Sequence, residues 1–159
     1  MVKTYKKGVV TQLSKNFKSS EFDCHGKNCC NKTLIDENLI AWLQKIREHF
    51  NASININSGY RCVVHNKNVG GANGSHHTKG MAADIRVKGV SPKEVAQYAE
   101  SIGIQRIGLY EGDAEGNFVH IGSATTKSFW VGHASKKVDT FFENPVLRRG
   151  VKNENVKEL

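Results

Sequence analysis

Two histidines and one aspartate are the residues of this chain whose types and spacing best suit chemistry. His77 and Asp84 lie seven residues apart in a segment rich in small residues, and His120 lies in a short apolar segment further along. Two imidazoles and one carboxylate occupy three positions of a tetrahedral zinc site and leave the fourth position to water. Bound zinc can lower the pKa of that water to about 7. The set therefore predicts one Zn²⁺ ion per chain and a hydrolytic reaction.

The residues between the first two ligands have sizes that suit a metal site. His77 is expected on a loop, and Gly80 permits a tight turn after it. The small side chains of Ala82 and Ala83 let the backbone approach the site before Asp84 extends from the following strand. Loop, turn and strand are thus predicted to converge on one ion.

Apolar periodicity predicts the elements that must carry these ligands. Helices are indicated at residues 36–50 and from Ser91 to about residue 103, the second by a serine cap followed by proline and a glutamate. Alternating patterns indicate strands at residues 53–57, 82–87, 104–110 and 118–121. In the last strand, a period of two turns His120 away from Val119 and Ile121. The expected fold is α+β, with helices packed on a mostly antiparallel sheet.

Four motifs occur in a fixed order: Ser58-Gly59-Tyr60-Arg61, Gly70-Gly71, the run from Ser75 through His77 and Gly80 to Asp84, and the His120 segment. In this order they resemble the family of zinc D-Ala-D-Ala carboxypeptidases and L-alanyl-D-glutamate endopeptidases, which shares its fold with the amino-terminal domain of hedgehog proteins. The resemblance covers about residues 13–133. It implies zinc held by His77, Asp84 and His120, and hydrolysis of a D-amino-acid-containing bond of the peptidoglycan stem peptide, D-Ala-D-Ala or L-Ala-D-Glu.

Arg61 matches an arginine that lines the cleft in the family and binds substrate or the oxyanion formed during attack. We therefore assign Arg61 a catalytic role by resemblance. A planar guanidinium suits both a carboxylate and a tetrahedral intermediate. The alternative is a purely structural salt bridge.

The general base is the point at which the chain departs from the family. Many relatives carry an acid three residues before the last ligand or an aspartate two residues after it, and these places hold Asn117 and Gly122 here. Three acids of the preceding loop and one later histidine are the candidates for a substitute: Glu111, Asp113, Glu115 and His133. The departure also supports an alternative function, a non-catalytic zinc-containing module that binds the cell wall or has a structural role.

The net charge of +8 predicts a polyanionic partner. The anionic cell wall is favoured and no nucleic acid is expected, because an arginine-rich recognition helix and base-stacking aromatic motifs are missing from the pattern. No run of about 20 apolar residues predicts a membrane span. The basic start of the chain lacks the apolar run of a secretory signal. We therefore expect a phage-encoded lysis enzyme that stays in the cytoplasm until its release to the wall.

The predicted domain organisation is a zinc peptidase domain over residues 1–133 and a charged tail over residues 134–159. The tail includes Lys136-Lys137 and Arg148-Arg149, with apolar residues only at Phe141-Phe142 and Val146-Leu147. Docking of this tail on the domain and partial disorder both remain open.

Four cysteines, at positions 24, 29, 30 and 62, form a second group. They permit two disulfides with three connectivities, a structural zinc bound by Cys24, His25, Cys29 and Cys30, or free thiols. The family resemblance favours a local staple that holds the amino-terminal segment near the Arg61 loop. A further alternative combines the basic charge and these cysteines into a nucleic-acid-binding knuckle.

Overall fold

The computed structural model describes residues 1–143 of the 159-residue chain. Within this part the α-helices are α1 (Glu37–Phe50), α2 (Val63–Asn68) and α3 (Pro92–Ser101). The strands are β1 (Val2–Lys6), β2 (Lys32–Asp36), β3 (Ile54–Ser58), β4 (Ala82–Val87), β5 (Arg106–Tyr110), β6 (Phe118–Gly122), β7 (Ser128–Val131) and β8 (Lys136–Lys137). Short 3₁₀ helices form at Ser19–Phe22 and His76–Lys79.

Strands β3 to β8 form one sheet in the order β3-β4-β6-β5-β7-β8. Neighbouring strands are antiparallel except for the parallel pair β5 and β7. Strands β1 and β2 make a separate antiparallel pair in which Val2 lies opposite Asp36. The predicted α+β class with a mostly antiparallel sheet is confirmed.

Side-chain caps explain where the two long helices begin. The Asp36 carboxylate accepts a hydrogen bond from the Asn38 amide, so Asp36 caps α1. The Ser91 hydroxyl accepts from the Glu94 amide, and Pro92 occupies the first position of α3. Both predicted helices are present, although α3 ends at Ser101, slightly before the predicted position.

The two faces of the sheet have different roles. Ile85, Ile107, Val119 and Ile121 are almost fully buried in the core that α1 and α3 cover. Because side chains alternate along a strand, the residues between them face the other way. His120, which lies between Val119 and Ile121, faces the cleft on the opposite side, as the two-residue period predicted.

The first part of the predicted tail belongs to the domain. Residues 136–137 form β8 against β7, and Phe141 is 6% exposed with its ring 5.3 Å from that of Phe129. Burial of Phe141 therefore docks this part of the tail on the domain core, which is one of the two alternatives left open for it. The remainder of the tail, including Val146-Leu147 and Arg148-Arg149, lies outside the described residues. No helix in the described part of the chain has the length and apolar character needed to cross a membrane.

Candidate metal centre and cleft

His77 lies on the 3₁₀ helix His76–Lys79 that precedes β4. The Ser75 hydroxyl accepts a hydrogen bond from the His77 amide at 3.3 Å and so starts this turn. Gly80 ends it with a φ of 72°, and a Cβ at this position would lie 2.5 Å from the Leu34 carbonyl. The tight turn expected at Gly80 is therefore present, and only glycine fits it.

Asp84 and His120 are register partners on the adjacent strands β4 and β6. Asp84 Oδ1 lies 3.0 Å from His120 Nδ1 and 3.3 Å from His77 Nε2. Ligand atoms about 2.0 Å from a zinc ion in a tetrahedron are about 3.3 Å apart, because the edge of a tetrahedron is about 1.6 times its radius. Both contacts of Asp84 Oδ1 are thus close to the spacing of a zinc site, and the three ligand atoms all lie within 4.8 Å of one another.

A hydrogen bond to the backbone sets the orientation of the His77 ring. His77 Nδ1 lies 2.7 Å from the Gly59 carbonyl oxygen and donates to it. The proton therefore sits on Nδ1, and the lone pair on Nε2 faces Asp84. Such a bond on the far nitrogen is how proteins orient imidazoles that ligate metals.

The protonation states of Asp84 and His120 favour the binding of a cation between them. Burial by itself raises the pKa of Asp84, but its close contacts with the imidazoles of His120 and His77 outweigh it and hold that pKa well below its usual range. Burial lowers the pKa of His120, although the nearby Asp84 partly opposes this shift. An ionised carboxylate and a neutral imidazole are the forms that bind zinc.

Arg61 lies beside this group in a network that fixes its guanidinium. Its Nε donates to Ser58 Oγ at 3.1 Å, its Nη1 to Asn66 Oδ1 at 2.9 Å, and its Nη2 lies 3.5 Å from Asp84 Oδ2. A Cβ on Gly71 would lie 2.0 Å from Asn66 Oδ1 and 2.8 Å from Arg61 Nη1. The second glycine of the Gly70-Gly71 pair therefore makes room for this network.

The three candidate ligands and Arg61 line one cleft of about 490 Å³. Its wall also contains Tyr110, Phe118 and Trp130, which the sequence did not identify as cleft residues. The Trp130 ring lies 4.9 Å from the His120 ring and covers Gly108, where a Cβ would lie 2.5 Å from it. The sequence did offer one signal for this contact. Gly108 lies inside a predicted strand, and a glycine in a strand often marks the close approach of another group.

The structure separates the candidates for the general base. All four lie within the described residues, and only His133 lines the cleft. Glu115 instead accepts a hydrogen bond from the His133 amide at 2.7 Å, and Asp113 accepts one from the Asn117 side chain at 3.2 Å. Glu111 is exposed.

Comparison with known protein families agrees with this geometry. The family model described as Peptidase M15 matches residues 15–122, a span that includes Arg61 and all three candidate ligands. No curated protein sequence matches the chain significantly. Since the match covers more than half of the chain, the protein is a member of the M15 family of zinc D-Ala-D-Ala carboxypeptidases and endopeptidases.

Proposed function

We propose that this protein is a zinc metallopeptidase that hydrolyses a D-amino-acid-containing bond of the peptidoglycan stem peptide, either D-Ala-D-Ala or L-Ala-D-Glu. The observation that carries the proposal is the convergence of His77, Asp84 and His120 in a cleft beside a fixed arginine. These three residues would hold the ion, and their donor set fits zinc. When bound, zinc supplies Lewis-acid chemistry, polarising the scissile carbonyl and activating the attacking water.

Arg61 is placed to stabilise negative charge in the cleft. Its guanidinium is 15% exposed and is held on separate nitrogens by Ser58 and Asn66. A donor that is already oriented needs no reorganisation when charge develops on the substrate oxygen. The same guanidinium group of Arg61 can also bind a carboxylate of the stem peptide.

Tyr110 supplies a second donor. Trp130 Nε1 donates to Tyr110 Oη at 2.8 Å, which leaves the phenolic O–H to donate towards the cleft. Burial raises the pKa of Tyr110, so the hydroxyl stays protonated. We assign Tyr110 the role of orienting a substrate carbonyl or stabilising its developing charge.

His133 is the residue that we propose to accept the proton of the attacking water. Its Nε2 lies 3.1 Å from the Glu115 carbonyl oxygen, and an N–H at this nitrogen donates to that oxygen. Nδ1 of the neutral ring is then the basic nitrogen. The Glu115 carboxylate holds the His133 backbone, so it positions this histidine.

The net charge of +8 supports action on an anionic wall, since a basic surface concentrates the enzyme on its polymeric substrate. We extend the proposal to cell-wall lysis of the phage type. A fall in the turbidity of a peptidoglycan suspension after addition of the purified protein is the expected result.

One observation favours the alternative, a zinc module without catalytic activity. Among the described residues that line the cleft, Asp84 is the single carboxylate. A peptidase that lacks a carboxylate base must use another group, and this chain offers His133 in that place.

Defined muropeptides test the proposal. The zinc-loaded protein is incubated with them, and mass spectrometry identifies the products; released D-alanine indicates a carboxypeptidase, and a new amino-terminal D-glutamate indicates an endopeptidase. His120→Ala is the matched inactive control. Intact muropeptides together with bound zinc would establish the non-catalytic module instead.

A further inference from the structure

A second group of metal-ligating side chains lies outside the cleft. The sulfur of Cys24 is 3.7 Å from that of Cys29 and 3.8 Å from that of Cys62, and the sulfurs of Cys29 and Cys30 are 3.9 Å apart. All four sulfur atoms lie within 4.8 Å of one another. We propose that these four cysteines bind one structural zinc ion.

The spacing of the sulfur atoms matches that of a zinc tetrathiolate. With Zn–S bonds of about 2.3 Å, neighbouring sulfurs of a tetrahedral site are about 3.8 Å apart. Each of these three sulfur–sulfur distances is within 0.1 Å of this value. Two disulfides would require two separate pairs, whereas here all four cysteines are free thiols that converge on one point.

The loop that carries three of the cysteines is folded closely around the sulfurs. A Cβ on Gly26 would lie 2.4 Å from Cys29 Sγ and 3.0 Å from His65 Nδ1, so glycine is required there. Asn28 has a φ of 55°, a left-handed turn that directs the chain back towards Cys24. His25, one of the ligands considered from the sequence, is exposed, and Cys62 takes the fourth position.

Backbone amides point at two of the sulfurs. The Cys62 amide donates to Cys24 Sγ at 3.5 Å, and the His65 amide donates to Cys62 Sγ at 3.4 Å. Such donors orient metal-bound thiolates and stabilise their charge. Cys24 and Cys62 are 2% and 7% exposed, and with Tyr60 they form a small cluster separate from the main core.

The position of Cys62 links the four-cysteine cluster to the chain segment that carries Arg61. Cys62 follows Arg61 directly and caps α2, the helix whose Asn66 binds the Arg61 guanidinium. An ion bound by all four cysteines would tie the segment 24–30 to the strand end that presents Arg61. Four protein ligands leave no open position, so this zinc is structural.

The metal content of the full-length protein tests the proposal. Protein expressed with zinc and purified without chelator is expected to hold two zinc ions per chain by elemental analysis. Cys62→Ser and His77→Ala should each hold one, because each removes a ligand from a different site. His25→Ala is the matched control and should retain both ions.

Cobalt substitution keeps the test decisive if Cys62→Ser does not fold. Cobalt-loaded His77→Ala should show the intense charge-transfer absorption of thiolate-bound cobalt. A wild-type chain that holds a single zinc ion, lost in His77→Ala, would overturn the proposal. Cysteines that react with an alkylating reagent only after reduction would overturn it as well, since they would be disulfide-bonded.

Discussion

Arg61 and Asp84 contact each other in the lining of the cleft, with Nη2 of the arginine 3.5 Å from Oδ2 of the aspartate. The other oxygen of the same carboxylate faces His77 and His120. Asp84 therefore has two partners on opposite sides, the candidate metal position and the cation that we assign to substrate. Asp84 therefore sets the distance between the candidate metal position and the Arg61 guanidinium, the two positive charges on which the proposed chemistry depends.

The first prediction concerns the ligands. His77→Ala and His120→Ala should each lose the zinc ion of this site, because removal of one of three protein ligands removes most of the affinity. Elemental analysis of the purified variants measures the loss. His76→Ala is the control, since His76 shares the 3₁₀ helix with His77 but does not line the cleft. Unchanged zinc in both ligand variants would refute the assignment.

The second prediction concerns Arg61. Arg61→Ala should retain zinc and fold, yet lose roughly 10²–10³-fold in kcat, the scale of one oxyanion donor. Arg61→Lys should recover little, because an ammonium cannot reproduce the bonds to Ser58 and Asn66. Muropeptide cleavage rates provide the measurement, with Arg47→Ala on α1 as the control. Unfolding of Arg61→Ala would show that the arginine is a structural salt-bridge partner instead.

The third prediction concerns the base. His133→Ala should lower the cleavage rate roughly 10²–10⁴-fold, the typical contribution of general-base catalysis. Glu115→Gln should have a smaller effect through the position of His133. Glu111→Gln is the matched control, and a loss of activity in that variant with normal activity in His133→Ala would reverse our assignment.

The fourth prediction concerns the hydroxyl of Tyr110. Tyr110→Phe keeps the ring that stacks on Phe118 at 4.2 Å and removes only the donor, so kcat should fall roughly 10²-fold with little change in KM. Tyr98→Phe, which alters a tyrosine stacked on His49, is the control. Because burial raises the pKa of Tyr110, the wild-type rate should not decline through ionisation of this tyrosine near pH 10. An unchanged kcat in Tyr110→Phe would exclude the role.

The fifth prediction concerns the end of the domain. Phe141→Ala should lower the free energy of unfolding by about 3–5 kcal/mol, the usual effect of removing a buried phenylalanine. Phe142→Ala should have a smaller effect, because Phe142 is only partly buried. Urea denaturation of the two variants gives the comparison. Equal and small effects would place residue 141 outside the cooperative core.

Residue types and motif order were sufficient to propose the ligands, and local features of the sequence were sufficient to predict the main helices. The identities and order of His77, Asp84 and His120 reflect zinc chemistry, which depends on residue type. The helix α1 follows from a 3.6-residue apolar period, and the cap at Ser91 follows from residues next to each other in the chain. Such signals need no knowledge of distant contacts, so the α+β class could also be predicted.

Contacts between distant parts of the chain were decided by the tertiary structure alone. The three acids near residue 113 precede the His120 strand, yet the course of the loop places His133 in the cleft wall. Trp130 reaches His120 because β7 pairs with β5 in a parallel register, which no local pattern specifies. Cys62, 38 residues from Cys24, replaces the adjacent His25 in the sulfur cluster for the same reason. Residue types thus determined the available chemistry, whereas strand order and register determined which groups meet.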